Sequence, residues 1–146
     1  MKIPLQIVNE QVEVAAILRA TKHRIGLANV NFVVDTRSNK SFLGYGEILR
    51  LNLPTTGLQF SEHTRIGGCT FKMFKLSGVT LSFEDEKGGI FRVKPNNMHV
   101  VVPTKKGEER ENATRIPSIL GLDFLKETKM ALCVNPSRDT AYFDLE

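Results

Sequence analysis

The sequence is short of cysteine: Cys69 and Cys133 are far apart and neither sits in a CxxC pair. Two such residues cannot assemble a zinc site, and no disulfide is implied. Histidine is equally sparse, and His23, His63 and His99 show no metal-ligand spacing. No metal or cofactor is expected. The apolar runs fall far short of the about 20 residues that a membrane-spanning helix needs. The opening Met1-Lys2-Ile3-Pro4-Leu5 lacks the apolar stretch and small-residue cleavage site of a secretory leader. A cytoplasmic location without membrane contact is therefore expected. A concentrated basic surface is missing as well. The formal net charge is +4 and the pI is near 9.2, but the basic residues are spread along the chain. The densest patch, Arg19, Lys22, His23 and Arg24, is too small to indicate a nucleic-acid surface and reads as a solvated loop.

What is present suits one domain over residues 1–146. The 146 residues are 41% hydrophobic and 25% charged, enough for one real core. Most of the chain reads as short strands. Residues 3–9 and 11–20 are apolar segments around a polar break. The second fits a strand through Val12, Val14 and Ala16, and also a helix through its Ala-Ala-Ile-Leu run; the β character downstream favours the strand. Residues 21–29 read as a connection, and 30–35 as a strand. Residues 45–52 suit a short helix stopped before Pro54. In 56–75, Cys69, Phe71 and Met73 alternate with polar residues, as in a β-hairpin arm. Gly67-Gly68 marks either its tip or a bulge or bend within it.

Residues 78–83 and 90–94 pair as a hairpin around Glu84–Gly89. Residues 98–102 form a strand ended by Pro103. Residues 104–115 are almost wholly polar and predict an exposed loop without chemistry. Residues 116–121 run as a strand into Gly121, with a short helix from Leu122 or Asp123. Residues 129–134 and 140–145 close the chain as a strand pair. The total is about nine strands and two short helices, a mainly β barrel or folded sheet.

One stretch stands out: Asn31-Phe32-Val33-Val34-Asp35-Thr36-Arg37-Ser38. An apolar strand ends on an acid flanked by hydroxyls and a base. Asp35 is either a turn-closing residue, bonding its own backbone, or a catalytic carboxylate.

Val33-Val34-Asp35-Thr36-Arg37-Ser38 together with Ile119-Leu120-Gly121, followed by Leu122-Asp123-Phe124-Leu125, resembles the retropepsin-like aspartic proteases, the single-domain retroviral type. The likeness runs over roughly residues 3–145, and the Phe42-to-Pro54 segment and the closing strands also resemble microbial members. It implies a closed, folded sheet with a flap hairpin, and Asp35 as the catalytic aspartate. The Ile119-Leu120-Gly121 segment would pack across the Asp35 loop. Thr36 would bond across a two-fold axis, and the Ser38 hydroxyl would bond the aspartate's outer oxygen. Gly67 and Gly68 would belong to the flap. Hydrolysis by this route needs two carboxylates that share a proton. The chain has one such motif, so a homodimer supplying a second Asp35 is implied, with a polypeptide as substrate.

Arg37 departs from the family pattern, which has Gly there. Gly lets substrate backbone approach; a side chain would point into or beside the cleft. Its positive charge would favour ionised carboxylates and make a shared proton harder to hold. Three readings stay open: an outward-turned side chain in an active protease, a fold that has lost turnover, or a substitution introduced into the chain. The function expected first is a homodimeric aspartic endopeptidase. The second is a non-catalytic peptide-binding module on the same fold. The third, an unrelated nucleic-acid-binding β-barrel, lacks the aromatic pattern such surfaces use.

Overall fold

The computed structural model describes residues 1–145. β1 (Lys2–Val8) turns through Asn9 and Glu10, both with positive φ, into β2 (Gln11–Ala20). Two left-handed residues match the twist of a tight hairpin. In β2, Val14, Ala16, Leu18 and Ala20 are buried while Ala15, Ile17 and Arg19 face outward. That two-residue period decides the segment as a strand.

β3 (Ile25–Val34) begins five residues before the expected start at 30. Only Thr21–His23 forms the connection, closed by Arg24 in the left-handed region. Residues 25–29, expected as loop, pair with β2 instead, Ala28 opposite Leu18 and Asn29 opposite Ile17. A weak apolar pattern there is overridden by ten residues of antiparallel partner.

β4 (Ser41–Leu43) and α1 (Tyr45–Arg50) follow, then the hairpin of β5 (Gln59–Ile66) and β6 (Cys69–Lys75). β7 (Thr80–Glu84), β8 (Ile90–Val93) and β9 (Met98–Pro103) come next. α2 (Glu108–Ala113) precedes β10 (Ser118–Leu120), α3 (Leu122–Thr128), β11 (Met130–Asn135) and β12 (Thr140–Leu145). The described residues thus hold twelve strands and three α-helices, against the nine and two expected. β4 escaped notice because three wholly buried residues have no room to alternate. α2 corrects the loop expected over 104–115. Its Ala113 is fully buried and its Arg110 donates to the Tyr45 hydroxyl at 2.6 Å. One buried residue in a six-residue helix gives no periodicity to read.

Along the sheet the order is β11-β12-β1-β2-β3-β10-β4-β9-β6-β5. β7 branches from β2 and carries β8 on its far side. Because β2 pairs with three strands, the sheet folds over on itself around one continuous apolar cluster. Phe32, Phe71, Phe83, Phe124 and Phe143 are fully buried in it. The rings of Phe83, Phe124 and Phe143 lie 6.0–6.4 Å apart between centroids, tying β7, α3 and β12 together. No helix among the described residues is long and apolar enough to cross a membrane.

Phe124→Ala removes one ring from this trio. It is expected to cost about 3–5 kcal/mol, seen as a lower urea midpoint at unchanged slope. The exposed Leu49→Ala, on α1, should stay within about 0.5 kcal/mol in the same titration.

Candidate active site

Asp35 follows directly on β3, whose Val30, Phe32 and Val34 point into the core. β10 lies parallel to β3, with Ser118, Ile119 and Leu120 opposite Phe32, Val33 and Val34. On its other side β10 pairs with β4, Ile119 opposite Phe42. A strand from late in the chain is thereby inserted between two early ones, and the 35–40 loop must pass over its end.

Hydrogen bonds clamp that loop. The Asp35 N–H donates to the Leu120 carbonyl at 3.0 Å, and the Leu122 N–H donates to the Ser38 carbonyl at 2.8 Å. Gly121 sits between them with no space for a side chain. A β-carbon there would lie 2.5 Å from the Ser38 carbonyl oxygen and 2.8 Å from that of Lys40. Beneath the loop, the Ser41 hydroxyl donates to Asp123 Oδ1 at 2.5 Å and accepts from the Gly121 N–H at 2.8 Å. The Ser41 N–H donates to Asp123 Oδ2 at 3.1 Å. The Ser118 hydroxyl accepts from the Gly44 N–H at 2.9 Å. Among the described residues, Ser41, Ser118 and His99 are the buried polar side chains, and each has a partner. Sequence reasoning missed all three, and gave Asp123 no role. Ser118 and His99 stand among apolar neighbours, Ser41 ends a polar run that reads as a turn, and Ser41 lies 82 positions from its partner Asp123.

The Asp35 carboxylate is about one-quarter exposed, at 25%, whereas the Arg37 side chain is 92% exposed. Asp35 Oδ1 accepts from the Arg37 N–H at 2.9 Å and from Arg37 Nε at 3.2 Å. No described residue donates to Oδ2. Asp35 therefore closes its own turn, and still presents one free oxygen. Arg37 has no positive φ, so the loop holds a side chain there without backbone strain. Thr36 is exposed beside it. The bond expected from Ser38 to Asp35 is not formed: the Ser38 hydroxyl donates to the Lys40 carbonyl at 2.7 Å. The loop reverses at 38–40 and turns that carbonyl toward Ser38, while Arg37 occupies Oδ1.

Gly67 and Gly68, with φ of 56° and 82°, form the two-residue turn joining β5 to β6. Both central residues of such a turn need positive φ, which favours glycine. The tip abuts the segment before β10, where a β-carbon on Gly67 would lie 2.8 Å from Ile116 Cδ1. β6 pairs with β9 from Phe71 opposite Pro103 to Lys75 opposite His99. The Glu109 carboxylate on α2 accepts from Thr70 N and Oγ1 at 3.0 and 3.2 Å. The backbone N–H of Thr70 holds Glu109 below the usual carboxylate range. On the outer strand, Glu62 meets Lys40 Nζ at 2.6 Å, linking the hairpin to the Asp35 loop. That hydrogen bond lowers the Glu62 pKa. No group of three or more His, Cys, Asp or Glu side chains converges among the described residues. A groove of about 1280 Å³ on the β2–β7–β8 face does not reach Asp35.

No family model matches the chain, and no curated protein matches it. Among solved structures it is similar to a retropepsin-like aspartic protease from Rickettsia conorii. The identity is 14%, over 98% of this chain and 88% of that one, with a TM-score of 0.54. The chain has a mainly β, retropepsin-like fold, and at this identity the likeness is one of fold.

Two measurements check the clamp. Gly121→Ala drives a methyl group into two backbone oxygens and should destabilise by about 2–4 kcal/mol in urea titration. His99 is held below the ordinary imidazole range, first by burial, then by positive Lys40; bonds to the Ser41 and Asn97 carbonyls and the charge of Asp123 oppose this. The unfolded chain takes up that proton at about pH 6.5 and the folded chain only at lower pH, so stability should fall as pH drops below about 6.5. His99→Asn should lose this part of the slope when urea midpoints at about pH 7.5 and about pH 5.5 are compared.

Proposed function

We propose that the chain is an aspartic endopeptidase acting as a two-fold homodimer in the cytoplasm, without a cofactor, each copy supplying one Asp35. The observation that carries this reading is Asp35 itself. It ends a buried strand in a clamped loop, half-buried, with Oδ2 free of protein partners. One chain offers a single carboxylate of this kind, and the chemistry uses two.

In the dimer one Asp35 is ionised and its twin protonated, since two adjacent like charges do not both ionise readily. The ionised carboxylate takes a proton from a water held between the pair. The water oxygen attacks the scissile carbonyl carbon, and the other Asp35 donates its proton to the carbonyl oxygen. The tetrahedral diol then collapses, the C–N bond breaks, and the amine nitrogen leaves with a proton from the dyad. Thr36 is exposed next to Asp35, and in this reading it bonds across the two-fold axis. Ser38, Ile119, Leu120 and Gly121 hold the loop, so that the carboxylate need not reorganise. The hairpin turn at Gly67 and Gly68 covers the substrate and excludes water.

Arg37 favours a second reading, a peptide-binding module without turnover. Its backbone and side-chain N–H groups both lie on Asp35 Oδ1, so that oxygen is already engaged within the chain and its side chain stands beside the carboxylate where the family pattern leaves space.

The test is cleavage of an unfolded protein from about pH 3 to about pH 7, read by mass spectrometry, a range bracketing carboxylate titration. Cleavage by the unaltered chain and none by Asp35→Asn is the expected result. Excess Asp35→Asn chain should also poison the unaltered one by forming mixed dimers with a single competent carboxylate. Activity in Asp35→Asn would sink the protease reading. Cleavage only in Arg37→Gly would identify Arg37 as the block.

A further inference from the structure

We propose that Arg37 reads a carboxylate on the bound peptide, so that the site takes chains with an acidic residue next to the bond held at Asp35. This deepens the endopeptidase reading and rests on it. A guanidinium carries five N–H donors in a fixed fork. Arg37 uses Nε on Asp35 Oδ1 at 3.2 Å, and its Nη groups donate to no described residue. The side chain is 92% exposed, so the unused edge faces solvent beside the candidate reacting carboxylate.

The other cation of this loop is differently placed. Lys40 Nζ already meets Glu62 at 2.6 Å, bridging to the hairpin. Lys40 is thus tied to the hairpin, whereas Arg37 is the exposed loop cation standing beside Asp35. Covering it with an extended peptide removes water from its Nη donors. An uncharged peptide side chain leaves them poorly paired, which is costly, whereas a carboxylate fills the Nη fork in two parallel bonds. The same carboxylate need not displace Asp35, because it takes the end-on Nη1/Nη2 edge and leaves Nε on Asp35 Oδ1. Arg37 touches Asp35 directly, so the acidic side chain sits within one residue of the scissile bond. In a two-fold dimer a second Arg37 offers the same contact on the other side of that bond. Arg37 is then a specificity residue, in place of a residue that merely obstructs.

The experiment compares paired peptides that differ only in Glu or Gln beside the scissile bond, at about pH 5.5, where a peptide Glu is mostly ionised. Cleavage rates are read as ratios within each pair for the unaltered chain, Arg37→Gln and Arg37→Glu. The unaltered chain should favour Glu roughly tenfold in kcat/KM. Arg37→Gln should bring the ratio to about one, and Arg37→Glu should turn it in favour of the Gln peptide. A general effect on Asp35 would change both members of a pair alike and leave the ratio untouched. Cleavage with no Glu preference, or a preference that survives Arg37→Gln, overturns the proposal while the protease reading stands. If the unaltered chain cleaves nothing, the protease reading fails. Fluorescence anisotropy of the same labelled peptides then decides: tighter Glu-peptide binding that Arg37→Gln abolishes supports Arg37 as the carboxylate reader, and equal or absent binding overturns it.

Discussion

β10 lies between β3 and β4, and the placement of Asp35 depends on that insertion. A parallel neighbour for β3 cannot come from a tight turn. It comes here from residues 118–120, more than eighty positions after β3. Once it is in place, the Leu120 carbonyl takes the Asp35 N–H and Gly121 passes against the Ser38 and Lys40 carbonyls. Three residues of strand would be weak alone. Both faces of β10 are buried and both edges are bonded, so its hydrogen bonds work where water does not compete.

The polar groups around this insertion are partnered in two adjacent sets. Ser41 joins Asp123 and Gly121, Ser118 receives the Gly44 N–H, and the His99 ring lies 3.3 Å from the Ser41 carbonyl. Buried polar groups are costly when any partner is missing. A fully partnered set penalises every register of β10 but one. The loop above it is therefore rigid at its base, while Arg37 and Thr36 stand in solvent at its crest.

The hairpin is held more firmly than a free arm. β6 is part of the sheet through β9, Thr70 is bonded by Glu109 of α2, and β5 reaches the Asp35 loop through Glu62 and Lys40. A covering motion would be concentrated in the turn and the outer strand, where backbone bonds are fewest. Acid and base are paired locally around the loop, Asp35 with Arg37 and Glu62 with Lys40. The loop thus carries local charge pairs instead of a single-sign field.

Residue order by itself determined a great deal. Period-two alternation placed β6, β7 and β8, and an apolar run ending on Asp35 marked the end of β3. Gly67-Gly68 marked a break in the strand pattern, and the structure decided between a tip and a bulge by placing both in the β5–β6 turn. These are local signals, carried by neighbours in sequence. β4, α2 and the Ser41–Asp123 contact were not legible, since three buried residues or one buried alanine carry no period. A serine and an aspartate 82 positions apart carry no mutual mark at all. The direction of the Ser38 hydroxyl and the engagement of Arg37 with Asp35 were likewise set by how the loop folds back over β10. Sequence determined which segments could be strands and where a carboxylate would end one. Only the tertiary structure decided what that carboxylate touches, because such contacts are made between segments that packing alone brings together.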